Sequence, residues 1–315
     1  WFHQTELPNG SSWFNGEIQH YTDRLDNTYV EDGVMYLVAR KENFTDQGVT
    51  KNYTSARLNS KFSFTYGRVE VRAKLPTGIG TWPAIWMLGR NIQETGGYWD
   101  NEGYGTTPWP ACGEIDIMEH WGDNQNFVQS AMHTPSSYGS TINHGGQIIP
   151  TASSAFHVYT LDWYEDRMVF SVDGNVHYVY EPNVQNSDTW PFTEEQYLLL
   201  NTAIQPSIDP NFTESAMEVD YVRIYQESTL SLNRPNSSSE LKIFPNPTSG
   251  WVTIRKSSFS SNKHLEIYNI HGAMIEVIDL SAREPKVDMS TWPPGVYIFR
   301  QKGNRNISTY KVIKQ

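Results

Sequence analysis

The stretch Met168-Val-Phe-Ser-Val-Asp-Gly-Asn-Val-His-Tyr-Val-Tyr180 indicates a β-hairpin. Its centre is the pair Asp173-Gly174, and a two-residue type I′ turn needs residues that tolerate positive φ at both central positions. Similar β-branched and aromatic runs recur with turn signals between them, and no long helical pattern interrupts them. They are Val34–Ala39, Phe62–Leu75, Ile115–Glu119, Phe156–Trp163, Tyr197–Asn201 and Met217–Tyr225. This spacing predicts an all-β domain over residues 1–226, an antiparallel β-sandwich of the jelly-roll type.

The sequence changes character after this domain. Residues 227–239 are polar and Ser-rich without periodicity, which is typical of a linker. Residues 240–315 then return to shorter β runs, which predict a small C-terminal β-sandwich domain. These runs are Leu241–Phe244, Trp251–Arg255, Leu265–Tyr268, Gly295–Arg300 and Thr309–Ile313.

Composition narrows the classes of partner. The 24 Lys and Arg against 35 Asp and Glu give a net charge of −11, which argues against binding to nucleic acid or to an anionic membrane. No run of 18 apolar residues predicts a membrane span. The single cysteine, Cys112, excludes an intramolecular disulfide and is expected to be a small buried side chain. The 11 Trp, 18 Tyr and 13 Phe suit stacking on sugar rings.

The run Glu114-Ile-Asp-Ile-Met-Glu119 is the candidate catalytic segment. Strand alternation places Glu114 and Asp116 on one face, and Glu119 joins them only if a β-bulge around Ile117-Met118 absorbs one residue. Like charges on one dry surface raise one another's pKa, so such crowding is costly and favours a functional role. Glycoside hydrolysis with retention uses two carboxyls about 5 to 5.5 Å apart. From spacing alone, a solvated acidic strand is an equal alternative.

Six segments carry a family resemblance: Trp13–Tyr21, Thr54–Leu58, Tyr66–Arg72, Gly80–Leu88, Asp220–Gln226 and Trp109-Pro-Ala-Cys-Gly-Glu-Ile-Asp-Ile-Met-Glu-His120. Together they resemble glycoside hydrolase family 16, which implies a concanavalin-like jelly roll with a concave substrate cleft. The extra residue before the last Glu is similar to the laminarinase-like endo-β-1,3-glucanases. Lichenases of the family usually show the form Glu-x-Asp-x-Glu. The sequence opens at Trp1 with neither an initiator Met nor a signal peptide, so we expect a processed or trimmed chain. The family's first strand would lie before Trp1.

The resemblance implies roles for individual residues. Glu114 is the expected nucleophile, Glu119 the acid/base and Asp116 the assisting carboxylate. The expected substrate contacts are Glu17, Arg57, Trp82, Trp86, Trp109 and His133. Each has a structural alternative: the tryptophans as core residues, His133 as a satisfied structural histidine, and Glu17 with Arg57 as a surface ion pair. We expect no required cofactor. Asp220 matches a position that in relatives helps to bind calcium, so a structural calcium stays open.

These features predict a retaining endo-hydrolase of β-1,3-glucan (laminarin), with mixed-linkage β-1,3-1,4-glucan as an additional substrate. Two alternatives stay open. The same scaffold in other members acts on marine galactans such as agar, porphyran or carrageenan, and a jelly roll can also be a non-catalytic glucan-binding lectin. The complete set of three acids argues against the lectin.

The C-terminal domain has its own resemblance, carried by Ile243–Gly250, Leu265–Gly272, Gly295–Phe299 and Lys311–Gln315. These segments resemble the type IX secretion sorting domain of Bacteroidetes. The resemblance implies a secreted or cell-surface protein that engages the secretion machinery, and we expect a monomer. A carbohydrate-binding module is the alternative, although Trp251 and Trp292 are few aromatics for a binding platform.

Overall fold

The computed structural model of the chain describes residues 1–226, 241–256, 264–270, 272–282, 284–302 and 307–315. The chain divides into two compact units, Trp1–Gln226 and Glu227–Gln315. The predicted linker, residues 227–239, lies outside the described residues.

The first unit, all of which is described, is built almost wholly from strands. They are β1 (Phe2–His3), β2 (His20–Tyr21), β3 (Thr28–Glu31), β4 (Val34–Asp46), β5 (Val49–Ser55), β6 (Arg57–Phe64), β7 (Gly67–Lys74), β8 (Thr81–Gly89), β9 (Glu114–His120), β10 (Phe127–His133), β11 (His144–Ile148), β12 (His157–Trp163), β13 (Met168–Val172), β14 (Asn175–Tyr180), β15 (Gln196–Ile204) and β16 (Glu214–Tyr225). The helical elements are α1 (Tyr98–Asn101) and single 3₁₀ turns at Phe14–Gly16 and Gly122–Asn124.

The strands form two sheets. A seven-stranded sheet has the order β1-β6-β15-β8-β9-β10-β11, and a nine-stranded sheet has the order β14-β13-β12-β7-β16-β4-β5-β2 with β3 paired to β4. One core cluster joins them, with Ile85 and Ile115 from the first sheet and Val71 and Leu161 from the second. The predicted antiparallel sandwich is therefore confirmed, and β9 lies near the middle of the seven-stranded sheet.

The predicted hairpin is confirmed. Strands β13 and β14 pair with Val172 opposite Asn175. The two residues between them, Asp173 and Gly174, have φ of 50° and 79°, as a type I′ turn requires.

The prediction of one strand over Phe62–Leu75 is wrong, because the run splits into β6 and β7. The chain turns at Tyr66, whose φ is 57°, and continues at Gly67 with φ of 132°. A Cβ atom on Gly67 would lie 2.4 Å from the carbonyl oxygen of Tyr225, so only glycine lets β16 approach here. The sequence did not indicate this turn, because the residues on both sides of it have high β propensity.

The second unit contains β17 (Leu241–Phe244), β18 (Trp251–Lys256), β19 (His264–Asn269), β20 (Met274–Asp279), β21 (Lys286–Asp288), β22 (Gly295–Lys302) and β23 (Ile307–Lys314). They form a three-stranded sheet, β17-β18-β21, and a four-stranded sheet, β20-β19-β22-β23. Ile254 and Phe299 contribute to its core. In the described part of the chain, no helix has the length and apolar character needed to cross a membrane.

The turn between β6 and β7 leads to a stability prediction. Gly67→Ala should lower the free energy of unfolding by about 3 kcal/mol, because β7 or β16 must move to accommodate the methyl group. Gly33→Ala is the matched control: its φ is +83° but nothing lies within 4 Å of the added atom, so backbone strain alone should cost about 1 kcal/mol. Urea unfolding followed by tryptophan fluorescence measures both. Equal losses would contradict the steric explanation.

Candidate active site

A β-bulge in β9 brings the three acids to one face. Against β10, Glu119 lies opposite Gln129 and Asp116 lies opposite Ala131, so two residues of β9 face a single residue of β10. Against β8, the pairing passes from Met118 directly to Asp116. The bulge predicted around Ile117-Met118 is therefore confirmed.

The bulge works by turning two consecutive side chains into the core. Ile117 and Met118 are 1% and 0% exposed and belong to the core cluster between the sheets. Because the two side chains point to the same side, the regular alternation shifts by one residue. Glu119 therefore lies on the face that carries Glu114 and Asp116. All three carboxyl groups line the same cavity.

Burial dominates the electrostatics of the three acids. It raises the pKa of Glu114, of Asp116 and of Glu119 to about 8 in each case, and the charge of Asp116 adds to the rise for the other two. No aligned hydrogen bond reaches Oδ2 of Asp116 from the described residues. The site therefore keeps a protonated carboxyl beside another carboxyl group at neutral pH, which is what a proton donor beside a nucleophile requires.

Two indole groups orient the outer acids. Nε1 of Trp109 donates to Oε2 of Glu114 at 3.0 Å, and Nε1 of Trp82 donates to Oε1 of Glu119 at 3.0 Å. In each glutamate, one carboxyl oxygen therefore accepts a hydrogen bond from an indole, which restricts the rotamers of both side chains. Trp82 also stacks near Trp121, with ring centroids 6.0 Å apart.

His133 faces the acids in a defined tautomer. The backbone N–H of Gly139 donates to its Nδ1 at 3.1 Å, so Nδ1 carries the lone pair and Nε2 carries the proton of the neutral ring. Nε2 lies 3.1 Å from Oδ2 of Asp116 and 3.5 Å from Oε1 of Glu114. The histidine is therefore placed against the acids rather than in the core. Its contact with a sugar stays a prediction.

Arg57 lies inside the wall of the cleft, not on the surface. It is 3% exposed and pairs with Glu94, with 2.7 Å between its Nη2 and Oε1 of Glu94. Its guanidinium lies over the ring of Trp86 at 4.7 Å and near Trp13 at 5.4 Å. The alternative of a surface ion pair with Glu17 is therefore wrong, because the arginine is buried and has another partner.

A second set of contacts holds Trp86 from the other side. Its Nε1 donates to Oδ1 of Asn201 at 2.7 Å, and Asn201 donates to the Tyr21 hydroxyl at 3.1 Å. The Tyr21 hydroxyl donates in turn to Glu17 at 2.8 Å. Burial raises the pKa of Glu17, and Arg57 opposes that rise. Trp86 also packs partly against a core cluster, so the cleft and core interpretations both apply to it.

The cleft extends to both sides of the acids. One cavity, of about 260 Å³, is lined by Glu17, Arg57, Trp86 and Asn201 as well as by the acids. A second cavity on the far side is lined by Trp121, Gln129, His133 and His144. Trp82, Trp109, Glu114 and Glu119 line both. The structure thus gathers every predicted catalytic and substrate-binding residue along one open cleft.

Two residues of this wall were not predicted as site residues from the sequence. Glu94 lies 37 positions after Arg57, and Asn201 lies 115 positions after Trp86. Nothing local marks either residue, because each is defined by a partner on another strand or loop. The one available signal was that a buried arginine needs a counter-charge, which would have indicated an acidic partner for Arg57.

The remaining predicted residues lie outside the cleft lining. Cys112 is 1% exposed in a core cluster, and burial raises the pKa of its thiol far above the usual value, so the predicted small buried side chain is confirmed. The carboxylate of Asp220 contacts the guanidinium of Arg72. Arg72 therefore already provides a positive charge for this carboxylate. Whether Asp220 also binds calcium stays open.

Comparison with known proteins gives consistent matches. Residues 19–223 match the profile of glycosyl hydrolases family 16, and residues 242–315 match that of the secretion system C-terminal sorting domain. A beta-glucanase of Rhodothermus marinus is 40% identical over 235 residues, covering 69% of this chain and 77% of the relative. A beta-1,3-glucan-binding protein of Penaeus monodon is 30% identical over 275 residues, covering 65% and 70%.

Among solved structures, LamA_E269S of Zobellia galactanivorans, in complex with laminaritriose and laminaritetraose, is 46% identical. The similarity covers 72% of this chain and 92% of that chain, with a TM-score of 0.66. The match to the sorting domain decides against a C-terminal carbohydrate-binding module. It indicates export by the type IX system, so the protein is secreted or held at the cell surface.

The raised pKa values lead to a prediction about stability and pH. Carboxyls of the unfolded chain release their protons at roughly pH 4. In the folded cluster burial raises the pKa values to about 8, so the cluster keeps protons bound to higher pH. The folded state therefore binds more protons in this window, and the cluster's contribution to stability falls as pH rises. The difference in free energy of unfolding between Asp116→Asn and the parent should therefore shift in favour of the variant as pH rises from roughly 5 to 8.

Urea unfolding at a series of pH values measures this difference. Glu31→Gln, an exposed strand residue outside the cleft, is the control and should follow the parent. A difference between Asp116→Asn and the parent that does not change with pH would contradict the prediction.

Proposed function

Because the chain belongs to glycosyl hydrolase family 16, we propose that it is a retaining endo-hydrolase of β-1,3-glucan that works through Glu114, Asp116 and Glu119. The observation that carries this proposal is a cleft that continues on both sides of a bulged strand presenting three carboxyl groups. A cleft that extends to both sides of the acids can hold sugars on both sides of the cleaved bond, which favours internal cleavage of a polymer.

In the first step, a carboxylate oxygen of Glu114 attacks the anomeric carbon of a bound glucosyl unit. Glu119 donates its proton to the glycosidic oxygen as the bond to the leaving sugar breaks, which leaves a covalent glycosyl–enzyme intermediate. The reactive form has Glu114 as a carboxylate and Glu119 as an acid. Burial, which raises the pKa of both residues, disfavours a second negative charge beside ionised Glu114, so Glu119 keeps its proton. The Trp109 N–H holds Glu114 in one orientation for the attack.

In the second step, water replaces the departed sugar. Glu119, now a carboxylate, takes a proton from that water, whose oxygen attacks the anomeric carbon and expels Glu114. Two inversions give net retention, and both acids return to their starting states. Asp116 lies between them, and its charge raises the pKa of each neighbour, so we assign it the role of tuning their protonation.

The preference for β-1,3 linkages is supported by the relatives. The matched Rhodothermus marinus protein is named a beta-glucanase, and the matched Zobellia galactanivorans structure holds laminari-oligosaccharides. We propose laminarin as the main substrate and mixed-linkage glucan as a second one. The Penaeus monodon relative is named for binding β-1,3-glucan; in this chain the three buried acids favour hydrolysis over binding alone.

The enzyme needs few partners. The reaction as written uses no cofactor. A structural calcium stays open, and unfolding with and without a chelator would test for it. We propose that the enzyme acts as a monomer on the glucan chain, does not bind nucleic acid, and meets the secretion machinery through its C-terminal domain.

Azide rescue tests the two catalytic roles separately. Glu114→Ala and Glu119→Ala should each lose about 10³-fold or more of kcat on laminarin while staying folded. With an activated aryl β-laminaribioside, azide should rescue Glu119→Ala to a β-glycosyl azide, because it intercepts the covalent intermediate. It should rescue Glu114→Ala to the α-azide, because it displaces the leaving group directly.

Proton NMR distinguishes the two azides, and Glu31→Gln serves as the folded control. Exchanged products, with the α-azide arising from Glu119→Ala, would reverse the assignment. Full hydrolysis by either variant would exclude that residue from the mechanism.

The product profile tests substrate and stereochemistry together. Laminarin should yield a range of short β-1,3 oligosaccharides that first appear as the β-anomer, because the cleft extends to both sides of the acids and the mechanism retains configuration. NMR of early products and chromatography of the digest measure this, with mixed-linkage glucan and agar in parallel. Cleavage of agar alone would move the substrate to galactans, and a first-formed α-anomer would contradict retention.

A further inference from the structure

A chain of hydrogen bonds crosses the sandwich and ends on the bulge of β9. Ser130, on β10, is fully buried, and its Oγ lies 2.7 Å from the carbonyl oxygen of Ile117. The same Oγ lies 2.9 Å from Nε2 of His177, on β14 of the other sheet. Nδ1 of His177 lies 3.1 Å from the side-chain amide nitrogen of Gln147 on β11.

The proton of every bond in this chain can be assigned. The Ile117 carbonyl only accepts, so the single hydroxyl proton of Ser130 points to it. Ser130 can then only accept from His177, which places the ring proton on Nε2. Nδ1 is left with a lone pair that accepts from the Gln147 amide. Burial lowers the pKa of His177 to about 4, so the ring stays in this neutral form at neutral pH.

A glycine lets the two sheets come close enough for this contact. Gly145 lies opposite Ser130 on β11. A Cβ atom on it would lie 2.9 Å from Cβ of Tyr178 and 3.0 Å from the carbonyl oxygen of His177. Without a side chain at that position, β14 can lie against β11, and His177 reaches Ser130.

The chain of hydrogen bonds ends at the point where β9 lacks regular pairing with its neighbours. Ile117 has no Cα partner in the register of β9 with either β8 or β10, and Ser130 has none in β9. A one-residue slip at a bulge moves every following side chain to the opposite face, which would turn Glu119 from the cleft into the core. A hydrogen bond to the Ile117 carbonyl opposes that slip directly.

We propose that Ser130, supported by His177, is a positioning residue for the acid/base of this enzyme. By binding the carbonyl of Ile117 it holds the bulge in one register, and the register directs Glu119 into the cleft. This inference rests on the proposed function, because it assigns a role in the same reaction. The catalytic site then depends on a contact outside the cleft, on the face of the sheet that is buried in the sandwich.

The test compares Ser130→Ala with a matched buried serine. Ser55 is also fully buried, and its Oγ donates to the carbonyl oxygen of Thr202 at 2.6 Å, away from the bulge. Ser130→Ala should lower kcat on laminarin about 10- to 100-fold, because a small misplacement of a reacting group has effects of this size. KM should change little, since the sugar contacts are intact. Ser130→Thr keeps the hydroxyl and should recover most of kcat.

Hydrogen exchange gives a second readout that does not depend on a substrate. Amides of residues 114–120 should exchange faster in Ser130→Ala than in the parent, and Ser55→Ala should leave both that exchange and kcat unchanged. If the parent fails to cleave laminarin, the proposed function fails, yet exchange still decides the positioning role. Parent-like kcat and exchange in Ser130→Ala, or an equal loss of kcat in Ser55→Ala, would overturn it.

His177→Ala serves as the second variant if Ser130→Ala does not fold. It leaves the Ser130 hydroxyl in place but removes the donor that orients it. We expect a smaller loss of kcat, about 3- to 10-fold, again with faster exchange over residues 114–120. Unchanged kcat and exchange in folded His177→Ala would exclude the support by His177.

Discussion

The extra residue in β9 is the constraint on which the rest of the site depends. Because the bulge turns both Ile117 and Met118 into the core, Glu119 shares a face with Glu114 and Asp116. Burial of that face raises the pKa of all three carboxyls to about 8. The backbone geometry of one strand thus places the proposed proton donor and the proposed nucleophile on the same face.

The surrounding residues restrict motion of the acids from every side. Indole N–H groups bind the outer two, and a histidine with an assigned tautomer faces the central one. Behind the strand, Ser130 binds the carbonyl of the bulged residue. The cleft wall follows the same logic, because Arg57 lies over the ring of Trp86 while paired with buried Glu94. A rigid platform loses little entropy when a sugar stacks on it.

The second unit explains where such an enzyme operates rather than how it works. Its match to the sorting domain indicates export, and polymeric glucans are too large to enter a cell intact. The absence of disulfides follows from the single cysteine of the chain. A core as large as that of the first unit supplies stability without such cross-links.

Local rules of alternation and turn geometry were enough to predict the all-β class and the Asp173-Gly174 hairpin from the sequence. The same rules gave the bulge in the acidic motif only as a condition for Glu119 to join the other acids, and the structure shows that the condition is met. Its family motifs also named the residues that line the cleft. The folded structure was needed to show that Arg57 is buried against Glu94, that Trp86 binds Asn201, and that His177 reaches Ser130. It also showed the turn at Tyr66 inside a run of uniform β propensity. These contacts join residues far apart in the chain, and no local pattern records which strands the fold will bring together.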